Sequence, residues 1–151
     1  MPEIEELAPD AAVGELLVAC GLEPSDLADH PDTLVLGRRR GDAVDAVVAV
    51  ERHGSAGLLR SLAVAPGQRG RGLARELVQA AEHRAAADGL AALYLLTETA
   101  AAFFLRLGYT RLAREAVPPR LRATPQFTRL CPASATCLGK TLPGSQRATP
   151  S

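Results

Sequence analysis

The chain has 151 residues, 47% of them hydrophobic, with 17 basic and 17 acidic side chains. That is long enough to bury a core, too apolar for a disordered chain and too neutral for bulk nucleic-acid binding. Charge is nevertheless uneven: residues 1–32 carry nine acids and no Lys or Arg, whereas residues 69–151 carry twelve bases against five acids. A basic half suits an anionic ligand and an acidic segment suits a cationic amine, although a solvated acidic helix face explains the acids equally well. No apolar run approaches the ~20 residues that span a bilayer. The N-terminus is acidic, unlike a signal peptide. The three cysteines, Cys20, Cys131 and Cys137, are too few and too scattered for a disulfide framework. The expectation is a soluble, cytoplasmic protein with neither a membrane nor a nucleic acid as partner.

In chain order, Asp10 to Cys20 reads as a helix ended by Gly21, and Pro24 to Ala28 as a short second one. Thr33 to Arg38 and Ala43 to Glu51 read as strands joined in a hairpin at Gly41-Asp42, and Leu58 to Val64 as a third strand. Leu73, Leu77, Ala81 and Ala85, with Ala74 and Val78, form an apolar stripe at helical spacing that ends at Gly89. Leu90 to Leu96 reads as a buried strand, and Ala100 to Leu107 as a helix stopped by Gly108. Tyr109 to Arg114 begins an extended segment, and Ala135 to Leu142 is a strand that closes the sheet. Pro143 to Ser151 lacks core residues and reads as a disordered tail. No internal repeat is present.

The junction at residues 58–75 carries the most chemistry. A strand stops at Pro66, a loop carries Gly67, Gly70 and Gly72, and a helix opens at Leu73. Such a junction aims backbone N–H groups and the positive end of a helix dipole at one point, which suits a phosphate or pyrophosphate. Arg69 and Arg71 add charge at the rim. The loop has neither the Lys nor the hydroxyl of a Walker sequence, and Arg75 stands where a dinucleotide fingerprint needs its third glycine.

The remaining pattern, Arg69-x-x-Gly72-x-Ala74, resembles the acetyl-CoA pyrophosphate loop of the GNAT superfamily of N-acetyltransferases. The preceding Leu62-Ala63-Val64-Ala65-Pro66 is similar to that family's central strand. The resemblance implies an α/β (α+β) fold with a mixed central sheet flanked by helices, in one domain over residues 1–142. It also implies acetyl-CoA as cosubstrate, a small-molecule amine as acceptor, and a homodimer. Leu62, Ala63, Val64, Arg69, Gly70, Arg71, Gly72, Leu73, Ala74 and Arg75 would then hold the cofactor, with backbone N–H groups of the 62–64 stretch polarising the thioester carbonyl.

Acetyl transfer needs a neutral amine, and a primary amine with a pKa near ~10 is almost wholly protonated at neutral pH. Glu51 and Glu98, each at or near a strand end, are candidate bases, and His53 is a third; strand-end carboxylates and loop histidines also commonly just meet water. Many GNAT enzymes carry a Tyr in the helix before the Gly-Tyr turn, where this chain has Phe104, which cannot protonate a leaving thiolate. Tyr94 or Thr99 could serve instead, or the thiolate leaves to water.

Leu95-Leu96-Thr97-Glu98-Thr99-Ala100, followed by Phe103-Phe104 and Gly108-Tyr109, resembles small acetyltransferases related to N-acetylglutamate synthase. The run from Arg122 to Leu138, with Leu130-Cys131-Pro132-Ala133-Ser134-Ala135-Thr136-Cys137, resembles the arsenic-resistance N-acetyltransferase branch. Arg120, Arg122 and Ser134 are candidate acceptor contacts, the arginines for a carboxylate, arsonate or phosphonate, with Thr124 and Thr136 offering further hydroxyls. Cys131 and Cys137 either pack as small hydrophobes or meet trivalent arsenic; their spacing fits no zinc motif, and no metal site is expected. Three readings stay open: an N-acetyltransferase, a ligand sensor that has lost turnover, and a thiol-based arsenic-binding protein on the same scaffold.

Overall fold

The computed structural model describes residues 4–22, 32–125, 127–128 and 135–143. Its elements in chain order are β1 (Glu5–Glu6), α1 (Ala11–Ala19), β2 (Thr33–Arg40), β3 (Ala43–His53), β4 (Ala56–Val64), α2 (Leu73–Ala87), β5 (Ala92–Thr97), α3 (Ala101–Arg106), β6 (Thr110–Arg111), α4 (Pro119–Arg122) and β7 (Thr136–Thr141). The strands are hydrogen bonded in the order β1-β2-β3-β4-β5-β7-β6. The β1–β2, β2–β3, β5–β7 and β6–β7 pairs are antiparallel, and β4–β5 is parallel over Ala56–Leu58. This is the mixed sheet with helices that the sequence led one to expect.

The chain forms two compact units, Met1–Glu51 with Leu59–Arg84 and Arg52–Leu58 with Ala85–Ser151. In the first, α1 starts because Asp10 caps it: the carboxylate accepts the Val13 N–H at 3.2 Å. Val13, Leu16 and Leu17 fall on one face and are buried against Leu7, Val35, Val44, Val47, Ala49 and Ala63. Strand β3 is buried without interruption from Val44 to Glu51, as a central strand covered on both faces must be. Gly37 leaves room on β2 for the β3 backbone and for Leu7, since a Cβ there would stand 2.5 Å from the Ala46 carbonyl oxygen and 2.7 Å from a Leu7 methyl.

In the second unit, Ala56, Leu58, Val117, Leu121, Phe127 and Cys137 form one core cluster. Phe104 stacks edge-on against Phe103 and Tyr109, with ring centroids 5.0 and 5.3 Å away. Lys140 lies over the Tyr109 ring and donates to the Leu107 carbonyl at 2.9 Å, tying β7 to the end of α3.

Most expected elements are present, with shifted ends. Strand β2 runs two residues past Arg38, β3 runs to His53, and β4 starts two residues before Leu58. The extended segment after Tyr109 shrinks to the two-residue β6, followed by a 3-10 turn at Arg114–Ala116. Strand β7 enters between β5 and β6. The helix expected over Pro24–Ala28 lies outside the described residues, as does the tail beyond Pro143. Among the described residues, no helix is long and apolar enough to cross a membrane.

Candidate functional site

Strand β4 and the loop after it carry the residues expected to hold the cofactor, all within the first unit from Leu59 onward. Ser61 has φ +59°, a left-handed backbone in the middle of a strand and the single non-glycine residue with positive φ among those described. Such a residue interrupts a ladder and is costly enough to mark a site. Parallel pairing of β4 covers only Ala56–Leu58, so Leu62, Ala63 and Val64 lie beyond it. Ala63 is buried; Leu62 and Val64 are half-buried.

A 3-10 turn at Pro66–Gln68 then leads into the loop. Gly70 and Gly72 adopt φ +81° and +79°, and a Cβ on either would have no neighbour within 4 Å. The glycines are therefore there for backbone conformation, and the space around them is open. The Gly72 carbonyl accepts the Glu76 N–H at 3.1 Å as the first bond of α2. The amides of Leu73, Ala74 and Arg75 consequently have no carbonyl one turn back, which makes this end an anion seat on a helix of fifteen residues. Arg69, Gly70, Arg71, Gly72 and Arg75 are exposed, Ala74 is half-buried, and Leu73 is anchored in the core. Arg69 is folded back: its Nε donates to the Val64 carbonyl at 3.0 Å and its Nη2 reaches the Cys20 sulfur at 3.6 Å. Cys20 in turn donates to the same carbonyl at 3.5 Å.

The two candidate bases differ sharply. Glu51 is buried, and its Oε2 accepts from Arg60 at 2.5 Å; the Arg60 Nε also reaches the Ser61 hydroxyl at 3.3 Å. Arg60 thus links Glu51, by a salt bridge, to the hydroxyl of the left-handed Ser61, by a hydrogen bond. Glu98, in the second unit, is exposed just past the end of β5, where the Thr97 hydroxyl accepts the Ala100 N–H at 2.9 Å and shapes the turn into α3. His53 is half-buried at the end of β3.

Of the acceptor candidates, Arg120 and Arg122 lie on α4 with buried Leu121 between them. Positions two apart on a helical turn do not share a face, so the pair is not brought together on one anion. The Arg120 guanidinium lies against the backbone of Gly54, where it leaves no room for a Cβ. Ser134 and Cys131 lie outside the described residues. Thr124 is buried and spends its hydroxyl on the Leu121 carbonyl, and Thr136 opens β7. Cys137 is a buried free thiol, pushed up from its ordinary pKa by desolvation, with Arg114 opposing. Among the described residues, no group of three or more His, Cys, Asp or Glu side chains is placed to hold a metal ion.

Sequence reasoning missed several residues. Arg60 pairs with Glu51, and Arg114 stands over the Phe127 ring and donates to the Ala135 carbonyl. Asp45, Arg38 and Gln68 form a network under the loop. A signal was present: Asp45 breaks an otherwise apolar run, and an acid in a central strand needs a cationic partner.

Comparison with known proteins agrees with this geometry. Residues 30–111 match the family described as acetyltransferase (GNAT) domain. No curated protein matches the chain. Among solved structures, the chain is similar to N-acetylglutamate synthase from Neisseria gonorrhoeae complexed with coenzyme A and N-acetyl-glutamate. That likeness has TM-score 0.77 at 16% identity and covers 94% of this chain and 35% of the synthase. The chain also resembles Rv2747 from Mycobacterium tuberculosis in complex with CoA, with TM-score 0.73, 18% identity, and 93% and 99% of the two chains covered. Ribosomal-protein-S18-alanine N-acetyltransferase from Escherichia coli follows, with TM-score 0.70, 16% identity and 94% of each chain covered. At these identities the likenesses show the fold.

Proposed function

The chain belongs to the GNAT acetyltransferase family, and from that premise we propose that it moves the acetyl group of acetyl-CoA to the amino group of a small molecule. The observation that carries the proposal is the loop: two left-handed glycines with open space around them lead straight into the amide end of a long helix. That is the seat a pyrophosphate requires. Solved relatives hold coenzyme A, in keeping with acetyl-CoA as the cosubstrate.

In this reading Gly70, Arg71, Gly72, Leu73, Ala74 and Arg75 receive the pyrophosphate, and Leu62–Val64 offer backbone groups to the pantetheine arm and the thioester carbonyl. Arg69 braces the loop through Val64 and sits at its rim. Glu98 is the preferred base: it is open to solvent, so an amine can reach it. Glu51 is the second candidate, with one oxygen already engaged by Arg60. The amine nitrogen attacks the carbonyl carbon, the C–S bond breaks, the base takes the amine proton, and the thiol leaves as thiolate and collects a proton from water.

The finer reading, that the acceptor is an amino acid or an amino-bearing toxic analogue such as an arsonate, rests on the sequence resemblance of residues 94–109 and 122–138. Arg120, Arg122 and Ser134 are its proposed contacts, each to be tested singly. A homodimer and a cytoplasmic location belong to the same proposal.

The test is mass-spectrometric detection of acetylated product from acetyl-CoA and pooled acceptors: amino acids, polyamines, aminoglycosides, and amino-bearing arsonates and phosphonates. Product from one pool, lost in Gly72→Glu, supports the enzyme and names its acceptor class. One observation favours a second reading, a coenzyme A sensor with weak turnover: Phe104, where the family resemblance leads one to expect a tyrosine, is buried among aromatic rings and has no proton to donate. Coenzyme A binding without product from any pool would favour the sensor.

A further inference from the structure

We infer that Arg38 and Gln68 are a positioning pair that holds the coenzyme A loop in its binding conformation, anchored on the bulged residue Asp45. The inference rests on the coenzyme A reading above and adds residues outside the loop itself. In the β2–β3 ladder Arg38 faces Ala46 and Arg39 faces Val44, so Asp45 has no partner across the strand. A bulge of this kind re-aims both the side chain and the backbone of the extra residue. Here both are used. The Asp45 carboxylate accepts from Arg38 Nη2 at 2.8 Å and from Arg40 Nε at 3.1 Å, and its carbonyl accepts the Ala65 N–H at 2.7 Å. The same Arg38 nitrogen donates to Gln68 Oε1 at 3.0 Å.

One residue therefore secures both ends of the turn before the loop: Ala65 through the backbone, and Gln68 through Arg38. Gln68 is 8% exposed, and the Arg38 and Asp45 side chains are 14% and 10% exposed, so these bonds form in a largely desolvated setting where they are strong. Arg40, at 62%, is a solvated rim partner and adds little. The need for an anchor follows from what comes next. Gly67, Gly70 and Gly72 give the loop unusual backbone freedom, and a ligand must restrict it on binding. Fixing the residue directly before Arg69 removes part of that cost in advance. With two guanidinium groups on one carboxylate, the network also leaves a net positive charge under the loop, which suits an anion.

Gln68 variants test this without breaking the Arg38–Asp45 pair. The measurements are the dissociation constant for coenzyme A by calorimetry, amide hydrogen exchange by peptide, and melting temperature. Gln68→Leu should weaken coenzyme A about tenfold and speed exchange over residues 65–75, while α1 and β5 exchange as in the wild type. Gln68→Glu keeps an acceptor for Arg38 but cancels the positive charge under the loop, so it should restore wild-type exchange over residues 65–75. Exchange as fast as in Gln68→Leu overturns the role. Wild-type affinity in Gln68→Leu, or faster exchange spread over the whole chain, overturns the positioning role. A wild-type protein that binds no coenzyme A overturns the cofactor reading and this inference with it.

Discussion

Arg60 donates to Glu51 across 2.5 Å, and each side chain is only 6% exposed. Losing one partner of such a buried pair removes the charge that neutralises the other. Arg60→Met should therefore lower stability by about 3–5 kcal/mol in urea unfolding, and Glu51→Leu/Arg60→Met by clearly less. Glu51→Gln separates structure from chemistry: if Glu51 is the base, kcat falls about 100- to 10,000-fold beyond any loss of folded protein. If Glu98 is the base, that fall appears in Glu98→Gln, whose exposed position leaves the melting temperature in place.

The loop glycines make a conformational prediction. Gly70→Ala and Gly72→Ala should each cost about 1–2 kcal/mol, because left-handed backbone is unfavourable for a residue with a Cβ even where nothing obstructs it. Gly70→Asn should cost less than Gly70→Ala, since Asn visits that region more readily. Thermal denaturation checks both, and coenzyme A calorimetry should place Gly72→Glu far below Gly72→Ala in affinity.

Asp10 gives the fold an acid-sensitive cap. The Val13 N–H, then the hydrogen bond from Arg39, hold its carboxyl below the ordinary value of 3.8. A depressed folded pKa means the contribution is present above the unfolded value and is lost as pH falls through the folded one. Asp10→Asn keeps the cap and should flatten the low-pH limb of the stability curve; Asp10→Ala should lower the melting temperature at neutral pH as well. A pH series of melting curves reads both.

Cys137 should be slow to react. Burial pushes its thiol up from 9.0, so little thiolate exists at neutral pH. Alkylation followed by peptide mass should find half-buried Cys20 modified well before Cys137 in the native protein, and the two at similar rates in denaturant. Trivalent arsenic binding that survives Cys131→Ser but not Cys137→Ser would contradict this picture.

What the sequence disclosed and what it concealed follow from the range of the interactions. Local signals were legible: Asp10 caps a helix three residues away, Gly41 turns a hairpin, and the opening of α2 at Leu73 is written into Gly70-Arg71-Gly72 itself. The left-handed turns at Gly70 and Gly72 were legible for the same reason. The buried network was not. Arg38 meets Gln68 thirty residues on, and Arg60 meets Glu51 only because two neighbouring strands bring them together. No periodicity records such pairs. The extended segment expected from Tyr109 to Arg114 pairs as β6 only over Thr110–Arg111, with Leu112 still donating to the Cys137 carbonyl before the chain turns at Arg114–Ala116. The one visible clue to the network, an acid within an apolar strand, names no partner.

The last strand among the described residues, β7, lies in the interior of the sheet. Strand β5 ends at Thr97, while β7, which covers it residue for residue, begins at Thr136. At roughly 5–20 residues per second, a ribosome leaves that edge bare for about 2–8 s. During this interval Leu93 and Leu95 belong to a strand without its neighbour, the arrangement most prone to recruit another chain. A lower growth temperature or a holdase chaperone should thus raise the soluble yield of this protein.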